Sequence, residues 1–560
     1  MQDFLRGKQQ SIEGQKLNAT ITDEGKGSKT APYDLVANNE VAQESANCYI
    51  VNDHGYYEFP AYYGNTYPNN STSSYQYDGN IDDIPESTRG FILTKFVGHD
   101  NLPISQGLIA NAADAILLWQ DSPDLVTDVT YNSSNNKISF RVPKETINQG
   151  NAVIAVRNDQ KEILWSWHIW VTHRKWDISS CIQMNSQNEY DRPFIIAPCN
   201  LGYCEPHGED DEREILIRFV VDNKLAGEDG VILNEQITVE GAAKKTSEAK
   251  SKGIIKFTQP KIAASVAGDN TYYQWGRKDA MLPGIHNEDT YENGLPANGM
   301  PPSSELDMVN KMFYSTEEIR FTSEESGISI GKSIQSPASF FMHQRLEGTA
   351  SDIYKRRHWH DGTNAPYRLK TIMNYWNTQL TESGNADYFD YKKKNNPDYK
   401  KAPNDKYVVK TIYDPSPAGF KIPPIKAFSD LFDSVELSEF AESKKNNTVG
   451  KPNAIEVSQP FKGWTVSINN HTFYFPATGV RNMGIPKKGV EYGTFPAFSS
   501  ITYIATSGFH KSNEASSSCL IFSIDKRSTA FFPNCTAPIE GTNNAYGFTV
   551  RPIRDGQTRE

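Results

Sequence analysis

Between residues 45 and 175 the chain alternates short apolar runs with turn-forming residues. The runs are 48–51, 115–119, 126–131, 137–142, 152–156 and 163–171. Their length and spacing predict short strands, and strands in that rhythm predict an all-β sandwich. The run 126–131 is joined to 137–142 by Asn132-Ser-Ser-Asn-Asn136, a polar turn of hairpin length. In Ile163-Leu-Trp-Ser-Trp-His-Ile-Trp-Val171, Trp165 and Trp167 fall on one face and His168 and Trp170 on the other. Bulky groups on both faces predict a strand buried on both sides.

The second half is less regular. Glu214–Val221 and Gly253–Thr258 read as strands within a polar stretch. Helical patterning is confined to 304–312 and 369–380, where Leu369, Ile372, Met373 and Trp376 form a stripe at helical spacing. Pro423-Pro424 marks a turn into a short helix near Ala427–Phe432. Further strands are expected at 464–468, 472–475, 503–507, 518–523, 527–532 and 547–553.

The chain has 560 residues, enough for two to four domains at the usual size. It is 22% charged and 11% aromatic, with 38 Gly and 31 Pro, which suits a turn-heavy β protein. A net charge of -11 offers no overall attraction to nucleic acid or an anionic membrane. Lys392-Lys-Lys394 and Lys400-Lys401 read as a solvated loop. No apolar run reaches the length of a transmembrane helix. The opening residues lack the apolar stretch of a signal peptide and read as the tail of an upstream domain, with the anchor of an exported precursor lying outside this sequence.

Candidate chemistry is sparse. His168 reads as a hydrogen-bonded core histidine, because no second ligand stands at metal spacing. His358, His360 and Asp361 would need a third partner to hold a metal, and 209–214 is acidic without calcium-loop spacing. Of the six cysteines, Cys199 with Cys204 and Cys519 with Cys535 are close enough in sequence to bridge. Buried free thiols are the other reading. No nucleophile elbow, phosphate loop or HExxH pair occurs, so no metal, cofactor or catalytic set is assigned.

Five blocks mix large rings with Gly and Pro: Asn200-Leu-Gly-Tyr203, Tyr272-Tyr-Gln-Trp-Gly-Arg-Lys-Asp279, Tyr413-Asp-Pro-Ser-Pro-Ala-Gly-Phe420, Phe475-Pro-Ala-Thr-Gly479 and Tyr546-Gly-Phe-Thr-Val-Arg-Pro-Ile-Arg554. Such blocks suit long connections pinned by buried rings, so Trp275, Tyr413, Phe420, Phe475 and Phe548 are expected to be buried. In this order they resemble the Fibrobacter succinogenes major paralogous domain family, found in surface proteins of Bacteroidota. Ser45–Val51, Tyr57–Pro60, Gly64-Asn65, Gly150–Ala155 and Trp165–Val171 look like the segment that precedes those blocks in such proteins.

The resemblance covers about residues 33 to 555 and implies a fold similar to C-type-lectin-like and formylglycine-generating-enzyme-like domains. It also implies that 205–265 is an insertion. The fold class expected is therefore a β-rich multidomain chain: 1–32 a linker or remnant, 33–180 a β-sandwich, and 181–560 an α+β C-type-lectin-like domain with long loops. Neither the calcium-lectin tripeptides nor a cysteine motif of the formylglycine enzymes is present.

The function implied is a non-catalytic, exported cell-surface or outer-membrane adhesin or pilus-tip-like subunit. Its partners would be a host or dietary glycan, a surface protein or other pilus subunits. The alternatives are a surface glycan-binding protein for nutrient capture and, behind it, a formylglycine-generating-type enzyme. Recognition groups are expected on the loops 284–302, 384–406 and 482–500, at Tyr291, Tyr388, Tyr391, Tyr399 and Tyr492.

Overall fold

In a computed structural model the chain is β-rich. The structure describes residues 12–72, 93, 95–122, 124–187, 192–205, 270–281, 329–342, 375–377, 408–424, 427–428, 471–476, 478, 501–509 and 547–555, and the backbone course of further short strands. Among the described residues no helix is long and apolar enough to cross a membrane.

Among the described residues of the first 171 there are eight strands: β1 (Tyr33–Asp34), β2 (Cys48–Val51), β3 (Gly55–Pro60), β4 (Asp114–Gln120), β5 (Thr127–Asn132), β6 (Lys137–Val142), β7 (Gly150–Arg157) and β8 (Ile163–Val171). They form two four-stranded sheets, ordered β1-β3-β6-β5 and β2-β8-β7-β4. The pairs β1–β3 and β2–β8 are parallel and the rest antiparallel. The expected β5–β6 hairpin forms with its first strand one residue later, so that Asn132 leaves the turn and pairs with Lys137.

Alternation decides which side chains meet. In β6, Ile138, Phe140 and Val142 are buried, while Lys137, Ser139 and Arg141 between them are half-buried. They meet Tyr57 and Phe59 of β3, Tyr49 of β2 and Trp165 and Trp167 of β8 in one apolar cluster. Tyr49 stacks on Phe59 with centroids 4.4 Å apart, and Phe59 meets Trp167 edge-on at 5.3 Å.

β8 is buried along nearly its whole length, as its two-sided bulk predicts, and so is β7 beside it. Ala152, Ile154, Val156, Trp165, Trp167 and Ile169 face the first cluster. Val153, Ala155 and Trp170 belong to a second cluster, with Tyr203, Tyr273, Trp275, Phe420 and Phe548. The second sheet is thus the wall shared by two cores. The apolar packing is continuous across residue 180, and Ile412 and Tyr413 sit in the first cluster.

A third sheet runs Phe420–Lys421, Ile553–Arg554, β10 (Pro193–Ile196) and β9 (Ile182–Gln187), so a strand close to the end of the chain pairs with one just past residue 190. Tyr273 pairs with Phe548 in a separate short ladder. The strand-like pieces expected between residues 205 and 265 form a two-stranded antiparallel ribbon, Arg213–Arg218 with Ile254–Gln259.

The five ring-bearing blocks converge. Trp275, Tyr413, Phe420, Phe475 and Phe548 are all buried. Their glycines serve the turns: Gly202 and Gly419 have φ of 72° and 75°, and a Cβ there would stand 2.3 Å from Thr271 Oγ1 and 2.4 Å from Val41 Cγ1. Asp414 makes its own turn, accepting from the Ser416 and Ile422 N–H groups.

The helical stripe is corrected where the structure describes it. Tyr375 and Trp376 lie in a bend, and Asn377 forms a β-bridge with Lys410. Trp376 is fully buried against Trp275, so its apolar position reports packing rather than helix periodicity. Of the short helix near 427–432, the described residues 427 and 428 lie in a 3-10 turn. The stretch 304–312 lies outside the described residues, as does 527–532.

Candidate functional site

The groups that look chemically capable in the sequence are locked into the frame. His168 is buried between Asn151 and Tyr273, at 2.9 Å from Nε2 and 3.1 Å from Nδ1. The Asn151 amide nitrogen donates to Asp121 and to the Gly202 carbonyl, which leaves its oxygen to accept from His168 Nε2–H. Nδ1 then accepts from the Tyr273 hydroxyl. Burial pushes the His168 pKa down to about 3, so the ring is neutral at physiological pH. It is the satisfied core histidine that its lone position in the sequence suggested.

Asp279 is the centre of a buried charge cluster. It accepts from Lys278 at 2.6 Å, Arg277 at 3.0 Å and the Ser166 hydroxyl at 2.9 Å. Lys278 also donates to Ser166 and lies 4.4 Å from the centre of the Trp165 ring. Burial alone would raise the Asp279 carboxyl, but the two cations hold it below the usual carboxylate range, while burial lowers Lys278. Every charge here faces another protein group.

Among the described residues a cleft of about 290 Å³ opens where β9 and β10 meet the strand His471–Pro476. One side is the turn that enters β9. Asp177 accepts from the Ser179 hydroxyl and the Ser180 N–H at 2.7 and 2.9 Å, and the Ser180 hydroxyl donates to the Lys175 carbonyl. Those bonds set Ser179, Ser180 and Cys181 along one wall. The opposite wall is His471, exposed, and Tyr474, half-buried.

Arg551 ties the two walls together. It donates to the carbonyls of Pro198 and Tyr474 at 2.6 and 2.9 Å, with its guanidinium 4.1 Å from the Phe475 ring centre. At the back, Arg174 lies over the Tyr203 ring at 5.7 Å and pairs with Glu205, which also accepts from the Tyr203 hydroxyl at 2.8 Å. Tyr203 and Tyr474 have centroids 6.4 Å apart and inclined at 57°.

The thiols and phenols of the lining are neutral. Burial pushes Cys181 up to about 11 and raises Cys199, so both thiols stay protonated at physiological pH. Burial and the nearby Glu205 raise both tyrosines. The cleft therefore offers hydroxyls, aromatic faces and a paired guanidinium, a set suited to hydrogen bonding and stacking rather than to nucleophilic attack.

Cys48, Cys181, Cys199 and Cys204 are free and buried, so Cys199 and Cys204 do not bridge. Among the described residues no group of three or more His, Cys, Asp or Glu side chains is placed to hold a metal. Tyr291 lies in a short strand, Tyr291–Glu292, paired with Leu295–Pro296. Tyr388, Tyr391, Tyr399 and Tyr492 lie outside the described residues, as do His358, His360, Asp361 and most of 209–214; the side chains of Cys519 and Cys535 are likewise outside them.

Sequence reading missed the cleft. Arg174, Ser179, Ser180, His471 and Tyr474 come from stretches almost 300 residues apart and share no motif. The available signal was indirect: Tyr203 and Pro476 belong to two of the ring-bearing blocks, and where those blocks meet the cleft opens. Comparisons with protein-family models, with curated proteins and with solved structures give no match to this chain.

Proposed function

We propose that the chain is a non-catalytic binding protein of the cell surface, an adhesin or pilus-tip-like subunit that recognises a glycan or a protein. In this reading two sheets sharing one apolar cluster are a β-sandwich, and the frame built from the five blocks is a C-type-lectin-like module. The pairing of Ile553–Arg554 with β10, itself paired with β9, supports the second part, since such a module brings strands from its two ends into one sheet.

The observation that carries the functional part is the division of labour among polar groups. His168, Lys278, Asp279 and Arg551 are buried and engaged within the frame, whereas the open cleft presents uncharged hydroxyls and rings around a guanidinium already paired with Glu205. A rigid frame with a polar-aromatic opening is the usual build of a recognition site.

Glycan arrays with and without calcium, run beside binding to immobilised host surface proteins, test the reading. Saturable binding in either format is the expected result. A folded chain that binds neither would sink it.

A further inference from the structure

Building on the binding role proposed above, we infer that the cleft between the Ser179–Cys181 turn and the strand His471–Pro476 takes one uncharged sugar ring, the terminal unit of a neutral glycan. Three features of the cleft argue this.

Size comes first. About 290 Å³ sits at the lower limit of ligand pockets, which run from roughly 300 to 1,000 Å³, so a single ring fits and an extended chain must lie outside.

Chemistry comes second. A sugar ring has hydroxyls round its edge and C–H groups on its faces, and therefore needs donors and acceptors beside an apolar plane. Ser179 and Ser180, whose hydroxyl protons go to Asp177 and the Lys175 carbonyl, supply acceptor oxygens on one wall, and the Arg174 guanidinium supplies the donor edge. Tyr474, half-buried on the opposite wall, supplies the apolar plane with the buried Tyr203 backing it, and His471 at the exposed rim adds an imidazole.

Charge comes third. Arg174 is the cation in the lining, and its guanidinium is paired with Glu205 behind it, while Glu205 is also held by Tyr203. An anionic ligand would have to compete with that carboxylate. A hydroxyl needs only a donor edge, which a paired guanidinium still offers. Glu205 acts here as a positioning residue that holds both Arg174 and Tyr203 against the cleft.

The test is ligand-observed NMR on the full chain with the methyl glycosides of glucose, galactose, mannose and glucuronic acid. Ser179 is exposed at the cleft wall, so Ser179→Trp fills the opening without entering the core. Ser133→Trp, in the exposed β5–β6 turn, is the matched control. Saturation transfer to at least one neutral hexoside is expected, weakened roughly tenfold or more by Ser179→Trp and unchanged by Ser133→Trp. His471→Ala should weaken it by a smaller factor at an unchanged melting temperature.

No transfer to any neutral hexoside, stronger binding of the glucuronide, or equal binding by Ser179→Trp overturns the inference. If the Ser179→Trp chain still binds an array glycan or a host surface protein as the parent does, the cleft assignment fails and the binding role stands. If the parent binds nothing in any format, both fail.

Discussion

The two cores on either side of the β2-β8-β7-β4 sheet are made by different means. On the inner side, regular strands deliver alternating apolar residues, and Tyr49, Tyr57, Phe59, Phe140 and Trp167 pack ring on ring. On the outer side, irregular segments from five parts of the chain are held by side chains that bond to distant backbone. Tyr272 donates to the Thr478 carbonyl, Arg551 to Pro198 and Tyr474, and Thr271 to Leu201. A sheet satisfies its own backbone, whereas a loop frame needs polar side chains inside it. The outer core should therefore be the more sensitive to losing a single polar group.

The sharpest way to break this comparison is Asp279→Ala. Removing the carboxylate leaves Lys278 and Arg277 buried beside each other without it, and breaking a buried ion pair costs about 3–5 kcal/mol. With two cations affected, the upper end of that range is expected in chemical denaturation. A loss under about 1 kcal/mol would mean that water reaches the cluster.

Ring truncation compares the cores directly. Trp167→Ala in the inner core and Trp275→Ala or Phe548→Ala in the outer one should each cost about 3–5 kcal/mol, since all three side chains are almost wholly buried. The outer variants should also weaken the third sheet, read as faster hydrogen exchange at β10. An unchanged melting temperature in Trp275→Ala or Phe548→Ala would refute the structural role of those blocks.

Acid probes the joint between the cores. His168 titrates near 3 in the fold against an ordinary value of 6.5, so between those values the unfolded chain binds a proton that the folded one excludes. Its contribution is intact above pH 6.5 and is lost as pH falls toward 3. At about 1.4 kcal/mol per unit, the loss at pH 4.5 is roughly 2–3 kcal/mol. Asp279, whose carboxyl is depressed, adds its loss only below the ordinary aspartate range. His168→Gln should flatten the slope between pH 6.5 and 4.5; a parent whose stability is level over that interval would contradict the buried neutral ring.

These contrasts also explain what was legible in the sequence. The inner core was, because period-two alternation at Ile138, Phe140 and Val142 or at Trp165 and Trp167 is a local signal of a long-range contact. The burial of Trp275, Phe420 and Phe548 was legible from the Gly and Pro beside them. The partners were not: nothing near Asn47 announces that its amide spans to the carbonyls of Ile412 and Asp414, both at 2.7 Å. Trp376 shows the opposite error, where a buried ring at helical spacing imitates a helix. The cleft was illegible for the same reason as those partners, since its walls are set by backbone contacts across hundreds of residues.

The smallest effect comes from a matched pair of arginines. Arg141 lies over the Tyr56 ring and pairs with Glu145, and Arg174 lies over Tyr203 and pairs with Glu205; both guanidiniums are 5.7 Å from the ring centre. The chemistry is the same, and the burial of the carboxylate differs: the Glu145 side chain is 58% exposed and that of Glu205 13%. Water replaces Arg141 at once, so Arg141→Ala should cost no more than about 0.5 kcal/mol and less in high salt. Arg174→Ala leaves Glu205 half-satisfied in a closed setting, with Tyr203 as a remaining donor, and should cost about 1.5–3 kcal/mol with little dependence on salt. Equal losses from the two variants, read from denaturation midpoints at low and high salt, would show that the frame around the cleft is as wet as the open face of the β5–β6 hairpin.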